Sequence, residues 1–237
     1  MDRHGRTPAQ AVPMTPAYRA VMIVGTPIMR WSRLTVSGLE ALPTSGPTLV
    51  VANHDSYWDP IAIAVAARPR RQIRALAKST LWKVGVIGRL MDSMGHIPIE
   101  RGSTNEAAVD TARAALAAGA CIGVFPEGTR SLGTPLRARS GAGRLAIAVP
   151  DATIVCARVT GATDVVRLPK RPTIAVEFFR PEGGGVHDGE DASALMHRLL
   201  HEIRRTAPCS IPGRRRTAAK FALRAGAAAT TQEMDTR

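Results

Sequence analysis

Aromatic residues supply only 4% of this 237-residue chain, so its core has to be built from Ala, Val, Leu and Ile rather than from rings. The three cysteines, Cys121, Cys156 and Cys209, are odd in number and show no Cys-x-x-Cys spacing. That argues against a disulfide framework and a cysteine zinc site, and it fits a reducing, cytosolic setting. Acidic residues are also scarce: 19 Asp and Glu stand against 32 Lys and Arg, a formal charge of +13. Part of this excess is ordinary solvated surface, but it also raises the local concentration of anionic partners such as phospholipid surfaces, nucleic acid or CoA-bearing molecules. Long apolar runs are missing. The longest, Ala20 to Met29, contains Gly25 and Pro27 and has about half the length that a bilayer crossing needs. Residues 1–19 hold no apolar stretch of the signal-peptide kind. Nucleic acid is not an expected partner, because aromatics are few and no RNP-like or helix-turn-helix pattern occurs.

What is present reads as one domain with ragged ends, since 237 residues can bury a substantial core and no shift in composition divides them. Residues 1–15 form a polar, proline-bearing arm. Pro16 to Trp31 reads as one interrupted helix, with Arg19, Arg30 and Trp31 flanking its apolar stretch, suited to a membrane interface or to packing on the domain. Strand-like runs follow at Thr48–Ala52, Ile73–Leu76, His96–Ile99, Cys121–Phe125, Thr153–Val159 and Thr173–Phe179. Helix-like segments lie between several of them, at Pro60–Ala67, Asn105–Ala118 and Gly143–Val149. The alternation predicts an α/β fold, a single-domain mixed sheet of about seven strands covered by helices. Asp191 to Thr206 reads as a closing amphipathic helix with Leu195, Leu199 and Ile203 at spacing near four. The boundaries are thus an N-terminal arm and interfacial helix over 1–33, a central domain over 34–208, and a basic flexible tail over 209–237. That tail carries six basic residues against two acidic ones.

The chemistry-bearing residues sit where strand-like runs end. In Asn53-His54-Asp55-Ser56-Tyr57-Trp58-Asp59, His54 follows a strand at the edge where open α/β sheets place ligands. On a continuous helix His54 and Asp59 would stand about 140° apart, so they meet only if a turn or helix start intervenes. A neutral imidazole can take a proton from an alcohol, and a carboxylate on its other nitrogen fixes the tautomer. Asp59 taken alone suits a helix N-cap, because Pro60 follows it. Phe125-Pro126-Glu127-Gly128-Thr129-Arg130-Ser131 follows another strand. Its glycine, hydroxyl and guanidinium suit a phosphate dianion. Gly95-His96-Ile97-Pro98-Ile99-Glu100-Arg101 supplies a third loop ending in a cation.

Taken together and in this order, these three segments resemble the glycerolipid acyltransferase family, which includes the lysophosphatidic acid acyltransferases. The resemblance runs from about Leu34 to Pro208 and extends to Gly141-Ala-Gly-Arg-Leu-Ala. It implies that His54 is the general base, supported by Asp59, and that the acceptor alkoxide attacks an acyl thioester without an acyl-enzyme. It also implies that Arg101, Glu127, Gly128, Thr129 and Arg130 line the acceptor site, with the arginines facing phosphate. Glu127, a carboxylate, is expected to position Arg130 or an acceptor hydroxyl. The co-substrate would be acyl-CoA or acyl carrier protein, with no cofactor and no metal. The simplest acceptor would be 1-acyl-sn-glycerol-3-phosphate, giving phosphatidic acid. A lyso-ornithine lipid or a glycolipid is the alternative acceptor, and a non-catalytic basic membrane- or nucleic-acid-binding protein is the alternative class. The expected location is the cytoplasmic side of the cell membrane, peripheral or monotopic, on an anionic surface.

Two positions depart from the family pattern. Cys156 stands where a proline is usual, and Arg139 where Lys is frequent. No Gly-x-Ser-x-Gly elbow supports Ser56 or Ser131 as a nucleophile. Arg68 to Lys83 holds six basic residues and no acidic one, a segment that could steer anionic substrates or be a solvated face. His197 and His201 are four apart, but no carboxylate completes an H-E-x-x-H pattern.

Overall fold

The computed structural model describes residues 12–100, 106–166 and 171–211. The chain opens with α1 (Pro16–Trp31), β1 (Thr35–Ser37), β2 (Thr48–Ala52), α2 (Asp59–Ala67), β3 (Arg74–Lys78) and α3 (Gly85–Ser93). It continues with β4 (Ile97–Ile99), α4 (Glu106–Ala117), β5 (Cys121–Val124), α5 (Gly141–Ala148), β6 (Thr153–Thr160), β7 (Ala175–Phe179) and α6 (Ala192–Arg204). Two of these, β1 and α3, are absent from the sequence reading.

Local chemistry explains the helix ends. Thr15 caps α1 by accepting the Tyr18 N–H at 3.2 Å, and Pro16 takes a first-turn position where no N–H is needed. The expected interruption at Gly25 and Pro27 does not occur. Gly25 is buried, with Ile61 and Val65 of α2 close enough to meet a side chain there. The helical donor missing at Pro27 would serve the Ile23 carbonyl, and Ile23 is exposed, so water can take its place. At α6, Asp191 caps through its carboxylate, which accepts the N–H groups of Ser193 and Ala194 at 2.7 and 2.8 Å.

The seven strands form one sheet in the order β1-β7-β6-β2-β5-β3-β4. Every pairing is parallel except β6 with β7, which makes the sheet mixed. β2 lies in the middle and is buried over its whole length. Its Leu49 and Val51 face a core shared with α4, α5 and α6, while Val50 and Ala52 face a second core shared with α1 and α2. The alternation is the period of two expected of a strand, with both faces covered. Burying each such Leu or Val contributes roughly 1.5–3 kcal/mol.

The boundary drawn at residue 33 does not separate α1 from the body. Tyr18, Met22 and Met29 are buried, and Met29 belongs to the same core as β2 and α2. The opposite side of α1 is open, with Ile23 and Val24 each 68% exposed. No helix among the described residues is long and apolar enough to cross a membrane. The arm over 1–11 and the tail beyond Ile211 lie outside the described residues.

Candidate active site

β2 and β5 are parallel neighbours, with Leu49 opposite Ile122, so both strands finish on the same edge of the sheet. The segment after β2 carries His54 and the segment after β5 carries Phe125 to Arg130. The sheet therefore brings together two motifs that lie over seventy positions apart, at the carboxyl edge where such sheets bind ligands.

Between His54 and Asp59 the chain turns and then enters α2, which supplies the change of direction that the spacing demanded. His54 Nδ1 lies 3.0 Å from Asp59 Oδ2. The same oxygen accepts the N–H groups of Asp55 and Ser56, each at 2.6 Å. Asp59 is thus the first residue of α2 rather than its N-cap, which is Trp58, and its side chain folds back over the preceding turn. Burial pushes the Asp59 carboxyl above its usual range, while the imidazole and the two N–H groups pull it back. The imidazole stacks on Phe125 with ring centroids 4.3 Å apart. With Nδ1 committed to Asp59, the other ring nitrogen, Nε2, has no partner among the described residues. An imidazole held in this way has a proton acceptor free for chemistry.

The loop after β5 makes a tight turn, closed by Gly128 N–H donating to the Phe125 carbonyl at 3.0 Å. Gly128 has φ +69°, in the left-handed region that favours glycine. A β-carbon there would also run into the Arg139 side chain, which lies against the loop. Arg130 stacks over the Tyr57 ring at 3.8 Å and has no carboxylate partner among the described residues. Thr129 is exposed beside it.

Glu127 corrects the sequence reading. Among the described residues it makes no ion pair with Arg130 and turns inward, where it is 2% exposed. One carboxylate oxygen accepts the His54 backbone N–H at 2.7 Å, and the other pairs with Arg204 at 2.5 Å. Burial raises its pKa, and the Arg204 charge and hydrogen bonds oppose that rise. Arg204 and its second partner, Asp55, went unrecognised as site residues. Arg204 lies 149 positions from Asp55, so only the fold joins them. Asp55 had a visible signal, its place within the His54 segment, but nothing in the sequence names its partner.

Arg101 lies outside the described residues. The strand that leads towards it, β4, pairs with β3, and Ile99 and Glu100 line the cavity described next. The Arg68–Lys83 segment divides. Arg71 is buried and donates to Gly46, Thr48 and Gly119, while Arg70 donates to the Leu42 carbonyl. Those two arginines hold the fold. Lys78 remains at the cavity. His197 and His201 are exposed on the outer side of α6.

His54 opens onto a cavity of about 1140 Å³. One part of its wall is apolar, formed by Tyr18, Val21 and Met22 of α1, Ile61 and Ala64 of α2, and Met91 of α3. The other is cationic, with Arg130, Arg137, Arg139 and Arg144 around the loop after β5. His54 lines the same cavity. The lining offers apolar surface suited to an acyl chain and guanidinium groups suited to a phosphate.

The chain belongs to the acyltransferase family that its motifs resemble: the family's model matches residues 33–160, more than half of the chain. It is 30% identical over 149 residues to an uncharacterised protein of Mycobacterium leprae, covering 57% of this chain and 38% of that one. It is 34% identical over 103 residues to a 1-acyl-sn-glycerol-3-phosphate acyltransferase of Chlamydomonas reinhardtii, covering 42% and 30%. The chain therefore spans less than half the length of either relative. The crystal structure of the 1-acyl-sn-glycerophosphate acyltransferase PlsC from Thermotoga maritima matches it with a TM-score of 0.60 at 19% identity. That match covers 80% of this chain and 78% of the other, so the fold is shared.

Proposed function

We propose that this protein is an O-acyltransferase that moves a fatty acyl group from a thioester, acyl-CoA or acyl carrier protein, to the hydroxyl of a lysophospholipid. The simplest acceptor is 1-acyl-sn-glycerol-3-phosphate, and the product is then phosphatidic acid. The observation that carries this reading is the His54–Asp59 pair, 3.0 Å apart, at a cavity whose lining combines apolar residues with several arginines.

In the reaction His54 Nε2 takes the proton of the acceptor hydroxyl, and Asp59 stabilises the imidazolium that forms. The alkoxide attacks the thioester carbonyl. As the tetrahedral intermediate collapses, the carbon–sulfur bond breaks and the thiolate leaves, taking up the proton from His54. No acyl-enzyme is needed, and the two serines of the motifs are engaged elsewhere: the Ser131 hydroxyl donates to Asp55 and the Ser56 hydroxyl accepts from Trp58 N–H. Arg130 and Thr129 are suited to the acceptor phosphate, with Arg137, Arg139 and Arg144 adding to the positive field.

Peripheral attachment to an anionic lipid surface fits the same geometry. Beside the cavity, Val84, Val86, Ile87 and Leu90 are exposed around α3, and Ile23 and Val24 are exposed on α1. Such a surface would admit a lipid acceptor without its acyl chain crossing water.

The test is release of free thiol from acyl-CoA, or from acylated carrier protein, in the presence of a panel of lyso-acceptors. Release that depends on lysophosphatidic acid supports the reading. Dependence on a lyso-ornithine lipid or a glycolipid instead would keep the chemistry and change the acceptor. No acceptor-dependent release with any of them would sink the enzyme reading.

A further inference from the structure

The His54 turn is gripped from behind by a group that no motif contains. Arg204, in the last turn of α6, reaches under the sheet edge and spreads its guanidinium between two buried carboxylates. Nη1 donates to Asp55 Oδ2 at 2.9 Å and Nη2 to Asp55 Oδ1 at 3.0 Å, a two-pronged pair. Nη2 and Nε donate to Glu127 Oε1 at 2.5 and 3.2 Å, and Nη1 also donates to the Ala207 carbonyl at 3.2 Å. These contacts employ all five guanidinium N–H groups.

Each carboxylate passes that grip to the backbone around His54. Glu127 accepts the His54 N–H at 2.7 Å. Asp55 is the next residue, and the Ser131 hydroxyl and Asn53 amide both donate to it. Ser131 also donates its own N–H to the His54 carbonyl at 2.8 Å, so both backbone groups of His54 are held. On the far side Asn53 is anchored to Val159 of β6 by a reciprocal pair of hydrogen bonds, each 2.8 Å. The imidazole itself is then aimed by Asp59 and Phe125.

The geometry points to Arg204 as a positioning residue for the acyl transfer proposed above, on which this inference rests: it holds Asp55 and Glu127 so that they fix the backbone of His54. Among the described residues it makes no hydrogen bond to His54, and it does not line the cavity. A lysine at this position would keep the charge but replace a planar fork by a single donor atom, so the two carboxylates could not both be gripped as they are now. Without any cation the pair would be two like charges in a buried site, and one would take up a proton. If that proton went to Glu127, its carboxyl would be a weaker acceptor for the His54 N–H than the charged carboxylate. The displaced turn would move Nε2 relative to the acceptor hydroxyl, and a misplacement of about 1 Å is enough to cost on the order of a hundredfold in rate.

The experiment compares full-length wild type with Arg204→Lys and Arg204→Met in two measurements. The first is steady-state thiol release, resolved into kcat and the two KM values. The second is the ¹⁵N spectrum of the His54 imidazole, assigned by its loss in His54→Gln, which reports the tautomer whether or not the assay has found the acceptor. Arg204→Lys serves if Arg204→Met does not fold. The expected result is a kcat about tenfold lower in Arg204→Lys and about a hundredfold lower in Arg204→Met. Both KM values should stay within about threefold, and the single tautomer of wild type should become a mixture. Folded variants with wild-type kcat and an unchanged tautomer would overturn the proposal, as would a kcat loss accounted for wholly by loss of folded protein. A wild type that releases no thiol with any acceptor fails the functional reading instead. The imidazole spectrum then still decides whether Arg204 sets the state of His54.

Discussion

At the scale of single residues, the division of labour around His54 predicts different kinetic signatures for neighbouring substitutions. His54→Ala removes the proton acceptor and the stack on Phe125 but deletes no large part of a core. Turnover should fall by about 10²–10⁴-fold while the protein remains folded, as judged by circular dichroism and the thermal midpoint. Full activity in a folded variant would remove His54 from the role of base. Arg130→Ala should behave otherwise. Its guanidinium lies over Tyr57 and lines the cavity, so if it holds the acceptor phosphate as proposed, its loss should raise the acceptor KM about tenfold, close to 1.4 kcal/mol, with little change in the donor KM. Equal effects on both would show that Arg130 does not discriminate phosphate.

The dyad was legible in the sequence because His54 and Asp59 lie in one short segment whose chemistry needs only a turn to complete it. The turn after β5 was legible in the same way, from Gly128 within one short segment that follows a strand. Glu127 was misread because a carboxylate in a motif shows its own charge but not the cation it will meet, and the cation proved to be Arg204 rather than Arg130. Long-range pairing of that kind is a product of the sheet order, which places the end of α6 beneath the ends of β2 and β5. No periodicity in the chain encodes it.

At the scale of elements, those that bury a face in the core were readable, and the two that bury almost nothing, β1 and α3, were not. β2 and β6 show continuous apolar runs because both of their faces are covered. β1 is three exposed residues, too short for a pattern to accumulate. α3 escaped because its apolar residues point outward: Val86 is 78% exposed while Gly88 is buried against the Trp82 backbone. The usual inference from apolar to interior inverts there.

The join between β3 and β4 makes a prediction about pH. His96, just before β4, accepts the Ala75 N–H through Nδ1 at 2.9 Å, which requires that nitrogen to be unprotonated. Burial, with the nearby Arg74 charge adding to it, pushes the His96 pKa down to about 4 from its ordinary 6.5. Between those values the unfolded chain binds a proton that the folded chain refuses, so stability falls as pH drops through that window and is unaffected above it. The full loss corresponds to roughly 3 kcal/mol. His96→Asn offers an oxygen that can accept the same N–H without titrating. Urea midpoints taken from pH 7 to pH 4.5 should therefore decline more steeply in wild type than in this variant, and parallel slopes would refute the assignment.

At the scale of the whole molecule, α1 and α3 meet through a small core of Tyr18, Met22 and Met94, and each has an open side that is apolar. Those open sides carry apolar residues where a protein in water alone would place polar ones; Arg19, Arg30 and Arg89 stand exposed on the same helices, and Lys83 is exposed just before α3. Apolar insertion and attraction to anionic lipid should then act together, and they can be separated. Screening weakens the second and leaves the first, so raising the salt concentration should release the protein only partly from vesicles containing phosphatidylglycerol. Val86→Asp with Ile87→Asp attacks the first. Burial of two such side chains is worth on the order of 3 kcal/mol even when incomplete, so vesicle affinity should fall about a hundredfold at constant salt. Turnover on a detergent-dispersed acceptor should change little, because neither residue lines the cavity. A folded double variant that floats with vesicles as well as wild type does would show that α3 is not the inserted element, and salt-insensitive binding would show that charge contributes nothing. If both effects appear as predicted, the lipid surface is met by the same helices, α1 and α3, that supply residues to the cavity wall, and the acceptor can reach His54 with its acyl chain sheltered from water throughout.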